Sequence, residues 1–141
     1  MILTENIISF IPQRAPFILI DELLDVSDDF SKTSFDIHED HLFVNNHVLT
    51  EPGIIENMAQ TAAAGIGYYL HNHHNNLVGF IGAIKSLIID ELPRVGEQII
   101  TEVAFLHRRL NAYVVEGSVY LHERKIASCE FRIFISEKTC K

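Results

Sequence analysis

Between Pro52 and Leu70 the chain reads PGIIENMAQTAAAGIGYYL, and this one stretch limits the folds open to it. Apolar residues stand at Ile54, Ile55, Met58, Ala59, Ala62, Ala63, Ile66 and Tyr69, which is α-helical spacing. A surface helix carries a charged stripe, whereas the single charge inside this one is Glu56, so the pattern predicts a helix buried on nearly every side. Burying each large aliphatic side chain contributes about 1.5–3 kcal/mol, which keeps such a helix out of solvent. The small residues Ala62 to Gly65, and Gly67, let another backbone come close.

What surrounds the helix reads mainly as strand. Phe17 to Val26 is an apolar run, followed by the turn formers Ser27, Asp28 and Asp29 and by Phe30 to Ile37, which predicts two paired strands. Thr4 to Phe10 predicts a short N-terminal helix, capped by Thr4 and limited by Pro12. After the helix, strands are expected over Leu77–Asp90, Gln98–Arg109, Ala112–His122 and Ile126–Ser136. In the last of these, Cys129, Phe131, Ile133 and Ile135 alternate with Ser128, Glu130 and Arg132. The polar run from His71 to Asn76 reads as the loop that ends the helix. Its His71, His73 and His74 have neither the spacing of a structural zinc site nor a His-Glu-x-x-His pattern. The fold class is α+β: about six strands in a mainly antiparallel sheet that curls around one long apolar helix.

A chain of 141 residues, 48% of them hydrophobic, has the size and apolar content of a single domain spanning 1–141. Its net charge of −8 speaks against nucleic acid as a partner, because a phosphate backbone calls for a clustered basic surface. The first twenty residues lack the basic-then-apolar order of a signal peptide, and no apolar run has the roughly 20 residues of a membrane span. A cytoplasmic location is expected. Cys129 and Cys140 are too few for a disulfide framework and read as free thiols.

Three blocks, IPQRAPFILIDELLDV, HLFVNNHVLTEPGIIENMAQTAAAG and VGFIGAIKSLIIDELPRVGEQIITEVAFLHRR, resemble the 3-hydroxyacyl-acyl-carrier-protein dehydratases of the hot-dog fold. The resemblance runs from about Ile8 to Ile135. Within that family the Glu-x-Met-Ala-Gln-Thr motif is most similar to the divergent dehydratases of aryl-polyene and related pigment pathways. The resemblance implies a histidine base and a glutamate acid brought to one acyl tunnel from two subunits, hence at least a homodimer, or a heteromer with a second dehydratase-like chain. It implies acyl carrier protein, bearing an acyl-phosphopantetheine arm, as the substrate's vehicle, and no metal or redox cofactor. Glu56 matches the family's acid, and Gln60 the glutamine one helical turn later. His47 aligns with the family's histidine only across a shortened loop, here NNHVLTEPG, with His38 and His41 as nearby substitutes.

The reaction sets its own demands on side chains. Removing water across C2 and C3 of a 3-hydroxyacyl thioester needs a base for the C2 proton and an acid for the departing hydroxyl. Burial among Ile54, Ile55 and Met58 would favour the protonated Glu56 needed for the second task, against the pull of the positive helix end. His47 is a loop residue of a type that titrates near neutrality. The N–H groups near Gly53 and Ile54, at the helix start, are candidates to hold the thioester oxygen. Gln60 is either a helix contact or an orienting group for Glu56. Lys85, Arg94, Arg108 and Arg109 are candidates for docking an acidic carrier protein. Two alternatives stay open: a hot-dog thioesterase, in which Glu56 activates a water, and a dehydratase-like partner subunit without activity of its own.

Overall fold

Eight strands and one α-helix follow one another along residues 7–71, 77–109 and 112–137, which this computed structural model describes. They are β1 (Glu22–Ser27), β2 (Phe30–Asp36), β3 (Val44–Asn45), β4 (Val48–Leu49), α1 (Glu51–His71), β5 (Leu77–Ile89), β6 (Gln98–Arg109), β7 (Ala112–Leu121) and β8 (Arg124–Glu137). Six of the strands form one antiparallel sheet in the order β1-β2-β6-β7-β8-β5, and β3 pairs only with β4. The sheet's concave side receives α1. Ile54, Met58 and Ala62 of the helix are fully buried in one cluster with Ile99 and Val103 of β6, Val115 and Val119 of β7, and Cys129 and Phe131 of β8.

The helix is buried as its composition predicts, but it is not apolar all round. Asn57, Gln60 and Thr61 are also without solvent exposure, and each is hydrogen-bonded. Thr61 Oγ1 donates to the Asn57 carbonyl (2.8 Å), so in its 2.7 Å contact with Thr33 Oγ1 it is Thr33 that donates. Ser31 Oγ donates to the Thr61 carbonyl (2.7 Å), and Thr101 Oγ1 donates to Asn57 Oδ1 (2.5 Å). One polar stripe of α1 is thereby bonded to β2 and β6, while the neighbouring stripe packs by shape.

Three sequence expectations need correction. Of the short N-terminal helix expected over Thr4–Phe10, the described part is a 3-10 turn, Ile7–Ser9, closed by the Phe10 N–H on the Ile7 carbonyl (3.0 Å); residues 4–6 lie outside the described residues. The first strand begins at Glu22 rather than Phe17, because the polar backbone groups of residues 17–19 bond to side chains of α1 and of the loop after β2 instead of to a neighbouring strand. Between β2 and α1 stands a small hairpin, β3–β4, whose two-residue turn has Asn46 and His47 both at positive φ (52° and 65°). That is the backbone of a type I′ turn, which Asn tolerates better than His. The polar loop expected over 71–76 lies beyond His71, outside the described residues, as does Cys140.

Gly67 shows how closely the N-terminal segment is laid on α1. A Cβ at this position would stand 2.0 Å from the Phe10 carbonyl oxygen and 2.8 Å from its carbon. Alanine in a helix interior ordinarily stabilises by about 1 kcal/mol over glycine. Here the clash is with backbone and must dominate, so Gly67→Ala is expected to destabilise the protein by about 1–3 kcal/mol, read as a lower urea midpoint. A raised midpoint would show that the segment has room to move away.

Candidate active site

Glu56 lies in the second turn of α1, half-buried, where the helix leaves its capped end. The start of α1 is set by Thr50, whose carbonyl accepts from the Ile54 N–H (3.0 Å), while its own N–H (3.0 Å) and hydroxyl (2.8 Å) donate to the Phe43 carbonyl. Ile54 is therefore not a free donor for a thioester oxygen, because its N–H already closes the first helical turn. Gly53 keeps a first-turn N–H with no helical carbonyl before it. It is buried, and a Cβ there would meet Leu49 Cδ1 at 2.6 Å and Phe43 Cβ at 2.9 Å, so only glycine lets the hairpin lie this close to the helix.

Gln60 resolves in favour of a double task within the chain. Its Oε1 accepts from the Leu19 N–H (2.8 Å), and its Nε2 donates to the Phe17 carbonyl (2.8 Å) and to Glu56 Oε1 (3.2 Å). Asn57 Nδ2 donates to the Leu19 carbonyl (2.7 Å), and His41 Nε2 lies 2.8 Å from the Ile18 carbonyl. Residues 17–19 are thus held by three side chains, one of which also orients the carboxylate of Glu56. Asn57 and Thr61 were not singled out from the sequence, although two polar residues four apart on an apolar helix are a legible sign of a bonded stripe.

The three loop histidines differ in what their rings are free to do. His41 is half-buried, edge-on to Phe35 and stacked on Phe43. Its Nδ1 accepts from the Phe43 N–H (3.1 Å), so Nε2 carries the proton and donates to the Ile18 carbonyl. With its lone pair occupied, neutral His41 has no site left for a substrate proton in this arrangement. His38 is exposed. His47, at the tip of the β3–β4 turn with its side chain 73% exposed, has Nδ1 2.8 Å from Glu39 Oε2.

The candidate cations are not gathered at one place in this chain. Arg94 stands just before β6, where it bridges to Val48, and Arg108 near the far end of β6, so about 33 Å of extended strand from Gln98 onward separates them. Lys85 is on β5 in register with Glu130, and Arg108 lies over the Tyr113 ring, 5.4 Å from its centroid. Arg109 is the last described residue of β6. Two groups among the described residues have displaced titrations. Burial pushes the Cys129 thiol up to about 11, which leaves it unreactive. Burial also raises the Asp21 carboxyl, although the Asp36 N–H donated to it (2.7 Å) acts the other way. Among the described residues no group of three or more His, Cys, Asp or Glu is placed to hold a metal ion, and no helix is long and apolar enough to cross a membrane.

This architecture, a sheet wrapped on a central helix, has counterparts among known proteins. A family model described as ApeP dehydratase matches residues 5–140. The chain belongs to the ApeP-like family. Its similarity extends to curated 3-hydroxyacyl-[acyl-carrier-protein] dehydratases FabZ. That of Petrotoga mobilis is 26% identical over 138 residues, covering 94% of this chain and 97% of the relative. That of Brucella ovis is 28% identical over 143 residues, covering 94% and 87%. Among solved structures, the dehydratase heterocomplex ApeI:P from Xenorhabdus doucetiae superimposes with a TM-score of 0.86 at 16% identity, over 94% of this chain and 91% of that one, and so shares the hot-dog fold.

In this ApeP-like chain the pinning of residues 17–19 can be tested by Gln60→Leu, which keeps the volume and removes all three bonds. The buried Leu19 N–H is then left without its partner, at about 1–3 kcal/mol, and the part-buried Phe17 carbonyl loses a bond that water replaces only in part. A loss of about 2–4 kcal/mol in urea unfolding is expected, and a loss below about 0.5 kcal/mol would mean that the segment finds other partners.

Proposed function

We propose that this chain dehydrates 3-hydroxyacyl thioesters carried on acyl carrier protein to the trans-2-enoyl thioesters, in fatty-acid or polyene-type biosynthesis. The observation that carries the reading is Glu56, half-buried on the central helix and held by a fully buried glutamine, in a chain of the ApeP-like dehydratase family. In the reaction the C2–H and C3–O bonds break, a C2=C3 double bond forms, and water leaves. Glu56 gives its proton to the departing hydroxyl and His47 takes the C2 proton. The Gly53 N–H faces the charge that grows on the thioester oxygen. Among the loop histidines His47 is preferred to His41 because its Nε2 is not engaged by a backbone group.

Acid and base come from different subunits in this reading, which makes a dimer the smallest active unit. Support for pairing comes from β5. It is an edge strand of 13 residues, and Ile81, Ile84, Leu87 and Ile88 stand 38–55% exposed along it, beside Phe134 of β8 at 45%. A long apolar edge with unpaired backbone groups is a surface that a second chain covers. The partner is a second copy or a related dehydratase chain. Lys85, Arg108 and Arg109 are the cations we assign to carrier docking, with Arg94 at the opposite end of β6. A cytoplasmic site of action accords with this substrate.

Purified protein is to be assayed on a 3-hydroxyacyl carrier thioester, following enoyl product and free thiol. Wild-type turnover to enoyl product is expected, with a fall of about 100-fold or more in both Glu56→Ala and His47→Ala. Free thiol without enoyl product would make the chain a thioesterase, and activity gained only on adding a second dehydratase chain would make it a partner subunit. Sedimentation at micromolar concentration should give a dimer or larger, and Ile84→Asp with Ile88→Asp should shift it toward monomer. A monomeric wild type would remove the two-subunit site.

A further inference from the structure

We infer that Glu39 is a positioning residue for His47, fixing the imidazole in the tautomer that presents a free Nε2 to substrate. The inference rests on His47 being the base. An ionised carboxylate only accepts hydrogen bonds, so the 2.8 Å contact between Glu39 Oε2 and His47 Nδ1 requires the ring to carry its proton on Nδ1. The neutral ring then has its lone pair on Nε2, pointing away from the carboxylate. His41, six residues earlier in the loop before β3, is held in the opposite form, with the proton on Nε2 and Nδ1 occupied by the Phe43 N–H. Two histidines on either side of β3 are thus sorted by their partners: His41 ties its loop to residues 17–19, and His47 is left with an open acceptor.

Both ends of the Glu39–His47 contact stand on fixed backbone. His47 is the second turn residue of β3–β4, and its carbonyl accepts from the Val95 N–H (2.9 Å) while Val48 beside it bridges to Arg94. Glu39 lies in a loop anchored before it by Ile37, which exchanges bonds with Glu97 (3.0 Å) and Gly96 (2.9 Å). After it, the His41 N–H donates to the His38 carbonyl (3.2 Å), and the His41 ring is tied to Ile18. The two side chains are 60% and 73% exposed, and exposed ion pairs add little to stability. The consequence of the pairing therefore falls on the ring, through its tautomer, and not on the fold.

The test joins long-range proton–nitrogen NMR of the histidine rings, which needs no turnover, with steady-state kinetics on the 3-hydroxyacyl carrier thioester. In the wild type, His47 is expected to show a protonated Nδ1 and an unprotonated Nε2. Glu39→Ala should move it toward the mixture of tautomers of a free imidazole and lower kcat about three- to tenfold with KM unchanged. Glu39→Gln, whose amide oxygen still accepts from Nδ1, should restore both the tautomer and most of kcat. A tautomer unmoved in Glu39→Ala overturns the pairing, and a moved tautomer with an unmoved kcat overturns its use in the reaction. Full turnover in His47→Ala, with the tautomer result intact, instead overturns His47 as the base and with it the role of Glu39 in catalysis.

Discussion

A helix that runs through the interior can be packed by shape, but its buried amide side chains must find partners, since each unmet polar group costs about 1–3 kcal/mol. Asn57 and Gln60 meet this requirement by taking up the backbone of Phe17–Leu19, and Thr61 by bonding to β2. Much else follows from those bonds. They hold the entering chain against the helix, set where β1 can begin, and leave the second Nε2 hydrogen of Gln60 directed at Glu56. The carboxylate proposed for catalysis is thereby oriented by the same side chain that secures the fold. Geometry at the site and stability of the core are for this reason not separable by mutation at Gln60, whereas they are at His47.

How much of this is legible in the sequence depends on the range of the interaction. The alternation of Cys129, Phe131 and Ile133 against Ser128, Glu130 and Arg132 marks β8, and the helical spacing marks α1 to within about a residue at each end. Phe17–Ile20 misleads because apolar residues are written there as in a strand, while backbone groups of residues 17–19 are met by side chains 23 to 43 residues away. No local pattern carries that information. The β3–β4 hairpin escapes notice since Asn46-His47 lacks the glycine that usually signals a type I′ turn.

At the site the same division holds. Glu56 stands out as the sole charge inside the apolar stretch, and Gln60 follows from helical periodicity. Ile54 is misjudged because the residue that closes the first turn depends on where the cap falls, here Thr50. Glu39 gives no sign at all: its link to His47 exists only once the hairpin has folded back toward the loop after β2. Of the candidate docking cations, Arg94 stands before β6, Arg108 and Arg109 at its far end and Lys85 on β5, a separation that no local pattern shows.

The exposed edge strand has one further consequence. β5 is not a straight template: its pairing with β8 is interrupted between Ile81 and Ala83 and again between Lys85 and Ile88, and Ser86 turns to positive φ within the second break. Phe134 covers Gly82 beside the first break, where a Cβ would stand 1.9 Å from its ring. A strand bent twice offers its free hydrogen-bonding groups in short, differently aimed sets, so an arbitrary extended peptide matches only part of it. An apolar edge broken in this way is a poorer template for open-ended sheet growth than a straight strand of the same length.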